Sequence, residues 1–510
     1  MRVMSLFELR SAPPALPSVA SHDSAGVTAV ERPEPTGGGT PWLTLAAIAL
    51  LAAAGLAAVV GTVLVNGDGV WHLIWGRALA DGTLTSFATG PTPHPSLLVL
   101  GAGTSVLGDD TSYLVTYVLF GPLAFGALVA AVFEVSRRLS SRWAAAITTL
   151  ILATSVAMLS IAGAARYDIA FAALVMTAIA LEMARPRRAV APLTCLAVAG
   201  LVRPEAWFLA GVYWLWLAPR MSWSARGRTA ALVALAPALW MSMDVLVMGD
   251  PLYSLHATDQ GSEVLYRQYT PGENLVAAGR NLVWYLGLFP LALLAPAALL
   301  LVRDRPRGLH ALLGAFAVTL GVFLLLLAQG MASSERYLLL PACVLAILAG
   351  MAIDGGGRRT PRRVGLGVFL AVILSLQVAG RADVYGKVSR DSAIASGRYD
   401  TARALVAAPG VLEALRRCPA VSLPTGKMRH WFAFYSGRAP EAFVSDGKGR
   451  TRPDLYIAPG NPAVTKMALT RARFDDDASY RVPAGLRPGP RNADWILYVS
   501  PTSLCARGLL

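Results

Sequence analysis

The chain has 510 residues, 55% of them hydrophobic and 15% charged, with a mean hydropathy of +0.52 and a net charge of +14. A soluble protein carries about 25% charged residues, so the composition excludes an ordinary water-soluble globule and points to lipid as solvent. The apolar residues gather in runs that match a hydrocarbon core, which takes about 20 residues of helix to cross.

Residues 1–40 are rich in Pro, Ser and Gly with mixed charges and lack an apolar signal-peptide core, so a disordered cytoplasmic tail is expected. Apolar runs follow at 42–66, 112–136, 143–161, 165–184, 189–203, 204–218, 229–248, 274–302, 309–328, 337–353 and 364–380. They predict an α-helical polytopic membrane domain over 41–380 with about eleven transmembrane helices. The fifth and sixth runs are short and meet at Arg203-Pro204-Glu205, where proline predicts a break and a tight helical hairpin.

Charge sets the orientation. Five alternate loops hold sixteen arginines: Arg137, Arg138 and Arg142; Arg185, Arg187 and Arg188; Arg220, Arg226 and Arg228; Arg303, Arg305 and Arg307; Arg358, Arg359, Arg362 and Arg363. The opposite loops carry Arg77, Arg166, Arg203, Arg267 and Arg336. The positive-inside rule then places the N-terminus in the cytoplasm and the end of the chain outside, in the plasma (inner) membrane of a bacterium.

The expected outer side also collects Asp68, His72, His94, Arg166, Asp168, Arg203, Glu205, His256, Glu335 and Arg336. Ionisable groups at membrane depth cost a few kcal/mol each and persist where they line a wet cavity, so their convergence predicts a site. The outer loop 67–111 contains Trp71, Leu73, Ile74, Trp75 and Leu79, the pattern of an amphipathic helix lying along the interface. Asp68 stands at its start, either as an N-cap or as a functional acid. The loop 249–273 is polar and aromatic, and is expected to act as a lid.

Residues 381–510 are expected to form an extracytoplasmic α/β domain, with a helix at 411–417 and strands at 420–424, 454–459 and 495–500. This stretch has 20 Lys+Arg against 11 Asp+Glu, which fits an anionic partner or a merely solvated basic surface. Cys418 and Cys505 bracket the domain and are expected to pair in an oxidising compartment; Cys195 and Cys343 lie in apolar spans as packing residues.

Three sequence elements share the outer side and occur in a characteristic order. Asp68 follows the first span, with Trp71-His72, Gly82 and His94-Pro95-Ser96-Leu97 after it; Arg166-Tyr167-Asp168 opens an apolar helix; Arg336-Tyr337-Leu338-Leu339-Leu340-Pro341 opens a late span. The arrangement resembles the GT-C superfamily of membrane glycosyltransferases that use polyprenyl-phosphate sugars, including the protein mannosyltransferases and aminoarabinose transferases. Ser96 stands where the family has a second proline, and one leucine is extra in the late element.

The resemblance implies an inverting glycosyltransferase that moves a sugar from a polyprenyl monophosphate to a hydroxyl on a glycan or protein, with no nucleic acid involved. Asp68 would be the catalytic base; Arg336, then Arg203, then Arg166 would bind the donor phosphate. His72, His94, Asp168, Glu205, Glu335 and Tyr337 would bind substrate or support these groups. Local ion pairs are the structural alternatives for Arg166 with Asp168 and for Arg203 with Glu205. No cofactor is required by this scheme; a divalent metal near Asp68 and His72 is the alternative, although two ligands do not make a site. The competing functions are a surface-polysaccharide ligase or polymerase using a lipid diphosphate, and a lipid-linked-sugar flippase or transporter.

Overall fold

A computed structural model describes residues 42–264, 270–304, 306, 308–328, 334–354, 372, 375, 379–380, 382–449, 451–469 and 480–510. The expected tail over 1–40 and nearly all of the eleventh apolar run lie outside the described residues. The chain is a multi-pass membrane protein. Among the described residues, five helices are long and apolar enough to cross a bilayer: Trp42–Val60, Asp109–Leu139, Trp223–Met248, Leu309–Ala328 and Glu335–Ala352. Two bent pairs, Arg142–Ala153 with Val156–Gly163 at 61° and Gly272–Leu286 with Leu288–Leu299 at 108°, raise the count to seven.

The other expected runs fall below that length or lie outside the described residues. A hydropathy run does not register a bend, and a short apolar helix is too brief to span alone. Gly287, at φ +80°, carries the sharper bend, and Ser155 restarts the other pair by accepting a hydrogen bond from the Met158 N–H. Val190–Val202 and Glu205–Leu217 have 13 residues each and are separated at Arg203-Pro204, where the break was expected. Within Asp109–Leu139, Pro122 sits in a π-helical turn over Leu119–Leu123, so the helix continues past it.

Helix Gly67–Ala80 differs from its expected setting. Asn66 caps it, its side chain accepting from the Gly69 N–H at 2.8 Å, and Asp68 lies in the first turn instead. Trp71 and Trp75 are 6% and 1% exposed, so this helix is enclosed by protein and does not lie along an interface. Its apolar residues cover most of its circumference, and its Trp pair belongs to a core that needs partners on several sides. One partner is helix Pro95–Ser105. A Cβ on Gly76 would stand 2.4 Å from the Gly101 carbonyl carbon, so the two helices meet backbone to backbone.

The C-terminal part builds a five-stranded sheet in the order β2-β1-β3-β5-β4, from β1 (Val421–Leu423), β2 (Phe443–Ser445), β3 (Leu455–Pro459), β4 (Arg487–Arg491) and β5 (Trp495–Val499). β1 runs parallel to β2 and β3, and β5 runs antiparallel to β3 and β4. β4 reads Arg-Pro-Gly-Pro-Arg and has no strand signal; as an edge it needs few ladder bonds. Cys418 and Cys505 are joined in a disulfide that ties the helix Val411–Arg417 to the end of the chain.

This sheet does not pack by itself. Val70, Trp71, Leu73, Ile74 and Trp75 share one buried cluster with Tyr399, Trp431, Phe432, Phe434 and Trp495. Arg77 forks onto Asp109 at 2.8 and 2.9 Å and donates to the Phe434 carbonyl at 3.2 Å, which pins helix Arg429–Ser436 against helix Gly67–Ala80.

Candidate active site

Four chain segments supply the cluster: the first turn of helix Gly67–Ala80, the turn 164–168, the break at 203–205, and the start of Glu335–Ala352. The first two are stitched together by the Asn66 N–H donating to the Ala164 carbonyl at 3.0 Å. Ala165 follows in the left-handed region at φ +47°, a conformation that costs an alanine about 1–2 kcal/mol and turns the chain sharply before Arg166.

Asp68 and Arg336, far apart in the chain, meet with Oδ2 3.6 Å from Nη1. Both keep access to solvent, at 35% and 24% side-chain exposure. Arg336 Nε is buried and has no hydrogen-bond partner. Tyr337 faces both neighbouring arginines, its ring 5.5 Å from Arg336 and 4.9 Å from Arg203, in cation–π geometry.

The three arginines are not equivalent. Arg203 is 7% exposed and held by two carboxylates, Asp168 and Glu205. Its pairing with Glu205 matches the local alternative; its pairing with Asp168 does not, because Asp168 was expected beside Arg166. Arg166 instead reaches Glu335 at 3.5 Å, and Asp168, 2% exposed, points inward to Arg203. Arg203 therefore holds the hairpin break together. Replacing it with glutamine strands two buried carboxylates and is expected to cost about 3–5 kcal/mol, read as a lowered unfolding temperature in detergent. An unchanged melting temperature would contradict that role.

His72 is committed to structure. Its Nδ1 is 2.6 Å from the Asp68 carbonyl, and the His94 N–H donates to its Nε2 at 2.9 Å. The Nε2 lone pair is thus filled and Nδ1 carries the proton, which leaves no nitrogen for a metal. Among the described residues, the one group of three with metal-ligating spacing is Cys418, Asp454 and Cys505, whose cysteines are consumed by the disulfide. His94 packs between Tyr167, His72 and Trp240, with ring centroids 4.4, 5.1 and 5.2 Å away. Ser96, the residue that departs from the family pattern, donates to the Leu201 carbonyl at 2.8 Å and fixes this loop to the helix that ends at Arg203.

Burial lowers the pKa of His72 to about 4, that of His430 to about 4, and that of His94 well below its usual value. Each is neutral in the folded protein at neutral pH. Between about pH 6.5 and 4 the unfolded chain binds more protons than the folded one, so stability falls as pH falls. Each histidine contributes up to about 1.4 kcal/mol per pH unit across that window. Melting temperature against pH should decline steadily there; a flat profile would contradict it.

His256 is exposed and pairs with Asp250 of its own loop at 2.7 Å. The expected lid contains helix Tyr253–Val264, and Thr258 bonds Thr92 at 2.6 Å; residues 265–269 lie outside the described residues. Three residues near Asp68 went unsingled in the sequence: Tyr167, Tyr399 and His430, each within electrostatic reach of the Asp68 charge. Tyr167 sits inside a noted element and was within reach of sequence reasoning. His430 and Tyr399 come from the C-terminal part and carry no local signal.

A small cavity of about 20 Å³ adjoins this cluster, with Arg203, Glu205, Arg336 and Tyr337 in its lining together with Thr319, Val322, Phe323 and Leu326 of helix Leu309–Ala328. Its lining joins charged groups to apolar ones.

No family model matches the sequence, and no curated protein does. The fold is more widely shared. ArnT from Cupriavidus metallidurans, solved bound to undecaprenyl phosphate, superposes with a TM-score of 0.58 over 91% of this chain and 99% of its own, at 16% identity. The oligosaccharyltransferase AglB from Archaeoglobus fulgidus, in complex with an inhibitory peptide and a dolichol-phosphate, gives 0.53 over 84% of this chain and 70% of its own, at 11% identity. The chain has the GT-C fold. At these identities the GT-C likeness concerns architecture: a helical membrane part followed by a small sheet, in the order the sequence motifs anticipated.

Proposed function

We propose that this chain is an inverting glycosyltransferase that moves one sugar from a polyprenyl-monophosphate donor to a hydroxyl acceptor on the outer face of the plasma membrane. The observation that carries the reading is the meeting of Asp68 with Arg336, whose guanidinium also lines the cavity beside helix Leu309–Ala328. The ArnT and AglB neighbours, each solved with a polyprenyl-type phosphate, add support for a lipid-phosphate donor. The arginine-rich loops support an outer site, and the Cys418–Cys505 disulfide fits an oxidising compartment on that side.

The chemistry needs a base, a cation and a groove. The donor phosphate takes the partly exposed Arg336 guanidinium, which offers N–H donors to phosphate oxygens, and its prenyl chain lies toward the apolar face of helix Leu309–Ala328. The phosphate thereby replaces Asp68 as the partner of Arg336 and leaves the carboxylate free to meet the acceptor. Asp68 accepts the proton of the acceptor hydroxyl as its oxygen bonds to the anomeric carbon. The bond from that carbon to the phosphate oxygen breaks, its electron pair leaves with the phosphate, and the configuration inverts. Arg336 and Tyr337 hold the departing anion, while Arg203, occupied by Asp168 and Glu205, shapes the wall behind it.

Purified protein in nanodiscs, offered polyprenyl-phosphate and polyprenyl-diphosphate sugars in turn, tests this. Transfer from the monophosphate is expected. Transfer from the diphosphate alone would make the chain a polysaccharide ligase, and transbilayer movement of the lipid without transfer would make it a flippase.

A further inference from the structure

Resting on the transferase reading, we infer that His430, from the C-terminal part, is an acceptor-binding residue, and that the acceptor it selects is a polyol such as a glycan. His430 is 8% exposed, and its Nε2 is buried with no hydrogen-bond partner. A bond to the Lys427 backbone occupies the other nitrogen. A ring nitrogen bonded to a backbone carbonyl carries the proton, so Nε2 presents a lone pair. An unpaired lone pair in a buried position is destabilising and calls for a donor.

The lone pair lies beside the first turn of helix Gly67–Ala80, which carries Asp68. A Cβ built on Gly67, the residue before Asp68, would lie 3.4 Å from His430 Nε2, and the Asp68 charge acts directly on the ring. Trp71 and Tyr399 flank the imidazole, with ring centroids 6.4 and 5.9 Å away, and fix its plane. The Asp68 carboxylate and the His430 lone pair are thus two hydrogen-bond acceptors at one helix turn. One hydroxyl satisfies one of them. Two neighbouring hydroxyls satisfy both, the first reacting at Asp68 and the second held at Nε2, and adjacent hydroxyls are what sugars carry. A serine or threonine side chain brings one.

The test uses the full-length chain in nanodiscs, with polyprenyl-phosphate mannose, glucose and arabinose as donors. The acceptor probes are octyl mannoside, octyl glucoside and octyl arabinofuranoside, with a serine-containing peptide beside them. His430→Phe removes the lone pair and is expected to raise the KM for the octyl glycoside about tenfold or more, with the KM for donor unchanged. His430→Gln restores an acceptor oxygen and should recover most of the loss. Gly67→Ala covers Nε2 with a methyl at ordinary contact distance in a helical first turn; it should fold at least as well as the parent and repeat the rise in KM. The inference is overturned if His430→Phe leaves that KM alone or shifts the donor KM equally, if His430→Gln fares no better than His430→Phe, or if the peptide is the preferred acceptor. Polyprenyl-phosphate binding, measured separately, distinguishes the failures: its absence in the parent protein removes the transferase reading itself.

Discussion

Asp68→Asn will lower sugar transfer by about a thousandfold, within the range of a lost general base, while the protein inserts and folds as before. Asparagine keeps the size and the helix position, and Asn66 already caps the helix, so stability does not depend on the carboxylate as a cap. The Arg336 guanidinium loses its counter-ion at 3.6 Å, and binding of the lipid phosphate is expected to stay level or tighten. The decisive measurement is transfer alongside polyprenyl-phosphate binding in the same preparation. Retained activity in Asp68→Asn would remove the mechanism, whatever else the site contains.

Arg336→Gln is the second large effect, expected in the donor's parameters. Loss of a preorganised donor to a developing anion typically slows the chemical step about a hundredfold to a thousandfold, and here the ground-state phosphate contact goes with it. The KM for the lipid donor should rise together with the fall in kcat. Arg336→Lys keeps the charge and loses the planar fork, so a partial loss is expected. The contrast with Arg203→Gln separates roles: Arg336 variants should stay folded and lose the donor, whereas Arg203→Gln should lose stability first. Equal behaviour of the two would undo the distinction drawn from their partners.

Much of this site was legible in the chain. Asp68, His72, His94, Arg166-Tyr167-Asp168, Arg203-Pro204-Glu205 and Arg336-Tyr337 are local elements, and charge patterning placed them on one side. Their pairing was less legible, because partners such as Arg166 with Glu335 are fixed by how helices cross, which no spacing encodes. The setting of helix Gly67–Ala80 was misread for a related reason. Tryptophans on an apolar helix look alike whether lipid or protein covers them, and here the cover is Trp431, Phe434 and their neighbours from the far end of the chain. The strands β1, β3 and β5 were visible as apolar runs, whereas β4, with two prolines, was not. His430 was invisible because its significance is an unfilled lone pair beside a residue it meets only in three dimensions.

The Arg77 fork, which grips Asp109 with one hand and the Phe434 carbonyl with the other, has a consequence for how this molecule can be divided. A chain cut near residue 381 would not yield a membrane enzyme lacking an accessory module. It would leave a guanidinium without its carbonyls and a tryptophan-rich helix stripped on one side, with the base on that helix's first turn. The last quarter of the sequence covers the helix that carries Asp68, and under the proposed function exchanging it between transferases of this fold is expected to carry acceptor choice along with it.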